Sequence, residues 1–234
     1  MVVVVQPSTT LIVYLLAIIT LWAGGRFWDR RRARQGQAAL LWWGIALLLW
    51  GAGALLAGTS YEAFSYALKC AGREACVWTT WLEVVYLGLS VASVDAMLVG
   101  VAYACADGRL RRWLVGGALA HIAAYLLLIG VGAFIPIRFL ISFELLILAA
   151  APIIAVLLFL NGWRWWKHRQ RVDGVLLAAW GGLVVTIAAY FAYYLSGLTQ
   201  TLWAGGLWFS DNDVLHLGLI GWMFYLALVV APEL

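Results

Sequence analysis

The sequence predicts an all-α, polytopic membrane protein: a bundle of seven transmembrane helices with the N-terminus outside and the C-terminus inside. Three observations predict it. The chain of 234 residues is 65% hydrophobic and only 11% charged, where a soluble domain runs near half apolar and a quarter charged. Its apolar residues fall into seven stretches of the length of a membrane crossing. Its cations fall mostly in alternate loops between those stretches. The same composition excludes disorder, because so apolar a chain has far too much to bury. It also excludes a soluble globule, because 15 Lys+Arg and 11 Asp+Glu are too few to coat one of this size.

A crossing needs roughly 20 mostly apolar residues to traverse a hydrocarbon core of about 30 Å. Reading between charged and turn-rich breaks places the spans at 9–28, 38–58, 78–104, 113–134, 139–161, 175–196 and 213–232, in a single domain covering 1–234. The strands of a membrane barrel would alternate with period two in pieces of about ten residues. Runs such as Ala39 to Leu56 show no such alternation.

Orientation follows from the cations. Arg26, Arg30, Arg31, Arg32 and Arg34 lie between the first two spans, Arg109, Arg111 and Arg112 between the third and fourth, and Arg164, Lys167, Arg169 and Arg171 between the fifth and sixth. Only Lys69, Arg73 and Arg138 fall in the other loops. This asymmetry sets the N-terminus outside and the C-terminus inside, with an inner (plasma) membrane the expected location of the multi-pass chain, and it accounts for the net charge of +4 without a nucleic-acid partner. Membrane lipids are the expected partners, with attraction to anionic headgroups, and the oligomeric state stays open. Met1 to Thr10 lacks a basic segment, so the first apolar stretch reads as a retained span rather than a cleaved signal peptide.

Cys70 and Cys76 share the loop after the second span, on the oxidising side, with a five-residue gap that a disulfide can close. Cys105 sits at the inner face. Most of the 15 tryptophans mark interfaces, where amphipathic rings collect at headgroup depth. Trp22, Trp28, Trp42, Trp43, Trp113, Trp163, Trp165 and Trp166 flank the inner ends, and Trp78, Trp81, Trp203 and Trp208 the outer ends.

Ionisable groups inside spans are costly, face the bundle interior, and are functional suspects by default. They are Glu62 ending span two, Glu83 and Asp95 in span three, His121 in span four, Glu144 in span five, and Asp213 and His216 in span seven. At 1.5 Å per residue, Glu62, Glu83, Glu144, Asp213 and His216 fall at one level of the outer leaflet. Asp213 and His216 are three apart and share a helix face. Glu83, Tyr86, Ser90 and Ser93 form a stripe on span three, and Thr186, Tyr190 and Tyr193 or Tyr194 another on span six. One imidazole with several carboxylates suits a divalent cation, zinc or another, with water in an open position. A metal would acidify that water for hydrolysis. The same groups suit proton relay, cation binding or plain inter-helix hydrogen bonding, and Ser210 to Asp213 also suit a helix cap. Asp95 and His121 lie deeper and can satisfy each other. His121 and His216 sit at different depths, which disfavours a haem bridging them.

Seven helices with the N-terminus outside invite comparison with microbial rhodopsins, but retinal needs a lysine in the last span, and Lys69 and Lys167 both lie in loops. Four stretches carry a different resemblance: Thr9–Thr10–Leu11, Gly58–Thr59–Ser60–Tyr61–Glu62–Ala63–Phe64, Ser90, and Asn212–Asp213–Val214–Leu215–His216. With these the chain resembles a group of bacterial seven-helix proteins of unassigned function, distantly similar to the alkaline ceramidase/progestin-receptor superfamily of membrane hydrolases. That resemblance implies a zinc held from the second and last helices. Glu62 would stand where a second-helix histidine is expected, His216 would be the last-helix ligand, and Ser90 the nearby serine. The sequence departs from the pattern in having Asn212 and Ile220 where a second last-helix histidine would stand.

Two functional readings follow. The first is a metal-dependent hydrolase of a lipid amide or ester, with Glu62, Asp213 and His216 on the metal, Glu83 or Glu144 as general base, and Ser90 or Tyr190 aiding polarisation. The second is a non-enzymatic sensor, transporter or assembly subunit whose polar pocket binds a small molecule or ion.

Overall fold

The structure is a computed structural model and describes residues 7–34 and 37–234. The described residues contain helices and turns and no strand. α1 (Pro7–Ala33) and α2 (Ala38–Ala57) come first, and α2 runs directly into a π-turn at Gly58–Ala63. A short α3 (Ser65–Cys70) precedes α4 (Trp81–Cys105) and α5 (Gly108–Phe134). A 3-10 turn at Arg138–Ile141 leads to α6 (Phe143–His168), α7 (Arg171–Ser196) and the short α8 (Leu198–Ala204). α9 (Asp211–Tyr225) continues through a second π-turn, Leu226–Val230, into α10 (Ala231–Glu233). Among the described residues, seven helical segments are long and apolar enough to cross a membrane, and the protein is a multi-pass membrane protein.

Most helices run further at their arginine-rich ends than the apolar stretches do. α1 takes in Arg30, Arg31 and Arg32, and α6 takes in Lys167 and His168 in its last turn. Hydropathy marks where hydrocarbon ends, whereas Arg, Lys and Gln remain good helix formers in water, and cations at a helix C-terminus favour its dipole. α7 stops at Gly197, whose φ of 68° is the left-handed conformation that closes a helix at little cost.

The long helices close a ring. α2 packs along α1 and α4, α4 touches α6, α6 packs on α7, α7 on α9, and α9 returns to α1. α5 lies outside this ring, against α4 and the 3-10 turn. Inside it runs an aromatic column: Phe27 stacks on Trp43 at 5.6 Å, Trp43 on Trp180 at 5.6 Å, Trp180 meets Trp222 at 6.4 Å, and Trp222 meets Trp50 at 5.4 Å. Trp43 is thus not at the interface that the sequence suggests. It is fully buried (0% exposed) between α1 and α7, and Gly100 of α4 admits it, since a Cβ there would stand 2.8 Å from its ring. Hydropathy cannot separate a tryptophan facing lipid headgroups from one facing a helix.

Candidate functional site

The π-turn positions the first acidic group. Thr59 Oγ1 donates to Leu55 O at 2.7 Å, and the Phe64 N–H reaches back to Thr59 O at 3.0 Å, a five-residue step that widens the helix. The turn is tied on two sides. Tyr14 OH of α1 shares a hydrogen bond with Thr59 Oγ1 at 2.9 Å, and Ser60 Oγ donates to Glu83 Oε1 of α4 at 2.8 Å. Between these ties Glu62 is turned into the protein, 6% exposed, with Oε2 buried and without a partner.

The start of α9 supplies the second. Ser210 is the N-cap: its Oγ accepts from Asp213 N at 3.3 Å, and Asp213 Oδ2 accepts from Ser210 N at 2.7 Å. This reciprocal capping box satisfies two backbone donors and holds Asp213 fully buried, with Oδ1 left unpartnered. Thr9 Oγ1 shares a hydrogen bond of 3.4 Å with Ser210 Oγ, which joins the start of α1 to the start of α9. His216 follows one turn later, and its Nδ1 is also buried without a partner. At the end of the bundle that bears the Cys70–Cys76 disulfide, α1 meets both the π-turn and α9, and three buried polar atoms there have no hydrogen-bond partner.

The other predicted residues lie elsewhere. Glu83 is buried and fully engaged: Oε1 accepts from Ser60 and pairs with Lys69 Nζ at 2.8 Å, and Oε2 accepts from Thr79 Oγ1 at 2.6 Å and Thr80 N at 3.1 Å. It acts as the capping-box acid of α4. Glu144 is exposed in the first turn of α6. Ser90 faces α2, its Oγ 3.5 Å from where a Cβ of Gly53 would stand. Tyr190 packs along α7 against Phe191 and Tyr194, with ring centroids 5.0 and 6.3 Å away. Asp95 and His121 pair with each other between α4 and α5, at 2.9 and 3.0 Å. The structure thus sets Glu62 and Asp213 on two elements that both pack against α1 and places Glu83, Glu144, Ser90 and Tyr190 in other surroundings.

A second buried polar group lies toward the arginine-rich end. Asn161 of α6 donates from Nδ2 to Asp173 Oδ1 at 3.3 Å and to Cys105 Sγ at 3.6 Å, and its Oδ1 accepts from Trp180 Nε1 at 3.0 Å. Arg164 Nε donates to Asp173 Oδ1 at 3.0 Å. Asn161 and Asp173 are completely buried. Asn161 ends the fifth apolar stretch and Asp173 falls in the loop after it, so hydropathy gives them no signal. The i, i+3 spacing of Asn161 and Arg164 was the one available clue to a shared face.

Zinc with three protein ligands needs donors converging on one point. Asp213 spends Oδ2 on its cap, and among the described residues no group of three or more His, Cys, Asp or Glu side chains is placed to hold a metal ion. The ligand set implied by the hydrolase resemblance does not assemble in this arrangement. What the site can do is accept: carboxylate oxygens take hydrogen bonds or positive charge and donate nothing when ionised. No curated protein and no solved structure matches the chain. Residues 8–232 match a family of unknown function, DUF6962, and the chain belongs to that family.

Proposed function

We propose that this is an inner-membrane protein that binds a small organic cation, a protonated amine, at its disulfide-bearing end. That end and the N-terminus lie outside, and the C-terminus inside. The orientation rests on the arginines gathered in alternate loops. The binding role rests on one observation: Glu62 Oε2, Asp213 Oδ1 and His216 Nδ1 are buried without hydrogen-bond partners. A buried carboxylate left unpaired is expensive, and a ligand carrying positive charge or N–H donors relieves that cost. The Thr10 hydroxyl, also buried and unpartnered, can turn toward such a ligand from α1. Binding without chemistry suits a sensor or an assembly subunit.

The test is the melting temperature of the purified protein as ethanolamine or methylamine is added at constant ionic strength. One probe is expected to stabilise the protein by about 2–3 kcal/mol at a hundredfold excess over its dissociation constant. Glu62→Gln removes that stabilisation. No stabilisation by any probe, or the same stabilisation in Glu62→Gln, overturns the reading.

The second reading is the metal-dependent hydrolase of a lipid amide or ester. Glu62 ends the second crossing and His216 lies in the last, the two helices from which the resembling superfamily holds its zinc. Metal analysis of purified wild type and His216→Ala separates the readings: bound zinc in the wild type that is lost in the variant supports the hydrolase, and metal-free wild type sinks it.

A further inference from the structure

α5 carries a groove of about 670 Å³ lined by Arg109, Arg112, Trp113, Gly116, Gly117 and Ala120. The lining follows two rows of helix spacing: 109, 113 and 117 on one side, 112, 116 and 120 on the other. Two guanidiniums and an indole crown the groove, and below them three small residues leave a trough. From Arg109 to Ala120 the helix rises roughly 16 Å at 1.5 Å per residue, close to the half-thickness of the hydrocarbon core, about 15 Å.

Nothing inside the protein explains the trough. A Cβ added at Gly116 or Gly117 would meet no atom within 4 Å, although each glycine costs a helix interior about 1 kcal/mol relative to alanine. Arg111, between the two arginines, is drawn aside over the Tyr103 ring at 5.3 Å. Neither Arg109 nor Arg112 forms an ion pair among the described residues, and Asp107, the N-cap of α5, pairs with neither. Trp113 is 73% exposed and stands at the depth where indole rings favour the headgroup boundary.

We infer that this groove is a binding site for an anionic phospholipid, its phosphate held between Arg109 and Arg112 and one acyl chain lying along Gly116, Gly117 and Ala120. The alternative occupant of a small-xxx-small face is a second α5. A parallel two-fold pairing there would set two Arg109–Arg112 pairs against each other, and like charges in contact disfavour it. A lipid phosphate offers the opposite charge, and its acyl chain fills the trough that the glycines leave.

The experiment is native mass spectrometry of the delipidated full chain, titrated with phosphatidylglycerol or with phosphatidylcholine of the same acyl chains. Phosphatidylglycerol is expected to bind more tightly. At about 1 kcal/mol per arginine near an anionic headgroup, the double variant Arg109→Gln with Arg112→Gln loses on the order of tenfold or more and falls to the phosphatidylcholine level. Gly116→Leu fills the trough and weakens both lipids, while Arg111→Gln, a control for folding and for bulk charge, leaves the preference intact. Soluble glycerol phosphate should not compete at comparable concentration. Equal binding of the two lipids by wild type, a preference that survives the double variant or is lost equally in Arg111→Gln, effective competition by glycerol phosphate, or a two-chain species abolished by Gly116→Leu each overturns the proposal.

Discussion

His121 Nδ1 stands 3.0 and 2.9 Å from the two carboxylate oxygens of Asp95, and this pair ties the outlying helix α5 to the ring at α4. Tyr125 and Ile129 of α5 also pack against Val84, Leu87, Val91 and Ile141, and Ala118 joins the main core. Asp95 is buried, so the histidine is the neighbour that keeps its carboxylate satisfied where water cannot.

Removing one partner should therefore cost more than removing both. His121→Leu is expected to destabilise the protein by about 1–3 kcal/mol, and the double variant with Asp95→Leu to recover a large part of that. Thermal melts of the single and double variants in detergent form the cycle. Strictly additive losses would show that the pair is not coupled.

The tryptophans should divide sharply by position. Trp180 is 1% exposed and stacked on Trp43, so Trp180→Ala should cost about 3–5 kcal/mol. Trp113→Ala, on the lipid-facing side of α5, should cost less than about 0.5 kcal/mol. Unfolding midpoints of the two variants, compared with wild type, check the ranking.

Asn161 serves three partners at once. Asn161→Leu would leave Asp173 without its amide donor and Trp180 Nε1 without an acceptor, at an expected cost of about 2–4 kcal/mol. Thr186→Val is the contrast, because that hydroxyl only bonds back to Gly182 O in its own helix, and its loss should stay below about 1 kcal/mol. Melting curves that rank the two variants the other way would refute the network.

The cysteines give a count. The Cys70–Cys76 bridge leaves Cys105 as the free thiol, so thiol titration of the denatured chain should find one reactive group before reduction and three after. Closing so short a loop should contribute roughly 2 kcal/mol, seen as a lower midpoint under reductant that Cys70→Ser does not lower further.

The local grammar of the chain was readable residue by residue. Ser210 and Asp213 signal a cap, and they form one. Cys70 and Cys76 signal a bridge, and they are bridged. Asp95 and His121, on successive spans at similar depth, signal a pair, and they bond. Local rules work here because each partner is a few residues or one hairpin away. They fail at Glu83, which shares a depth with Glu62 and Asp213 but points into its own cap and to Lys69. Depth is a property of sequence position, whereas azimuth around a helix axis is set by its neighbours. The π-turn at Gly58–Ala63 was hidden too, since an extra residue in one turn leaves composition untouched while rotating Glu62 relative to the rest of α2.

By itself the sequence determined that the chain is helical, crosses a membrane seven times and carries a few buried acids and imidazoles, because hydrocarbon demands apolar stretches with internally bonded backbone. Only the tertiary structure decided which helices close the ring, that α5 stands outside it, that Trp43 and Trp180 face each other rather than lipid, and that Glu62, Asp213 and His216 keep unpartnered atoms while Glu83 does not. The physical reason is that lipid and protein interiors are equally apolar, so hydrophobicity along the chain states that a side chain avoids water and leaves open what it touches instead.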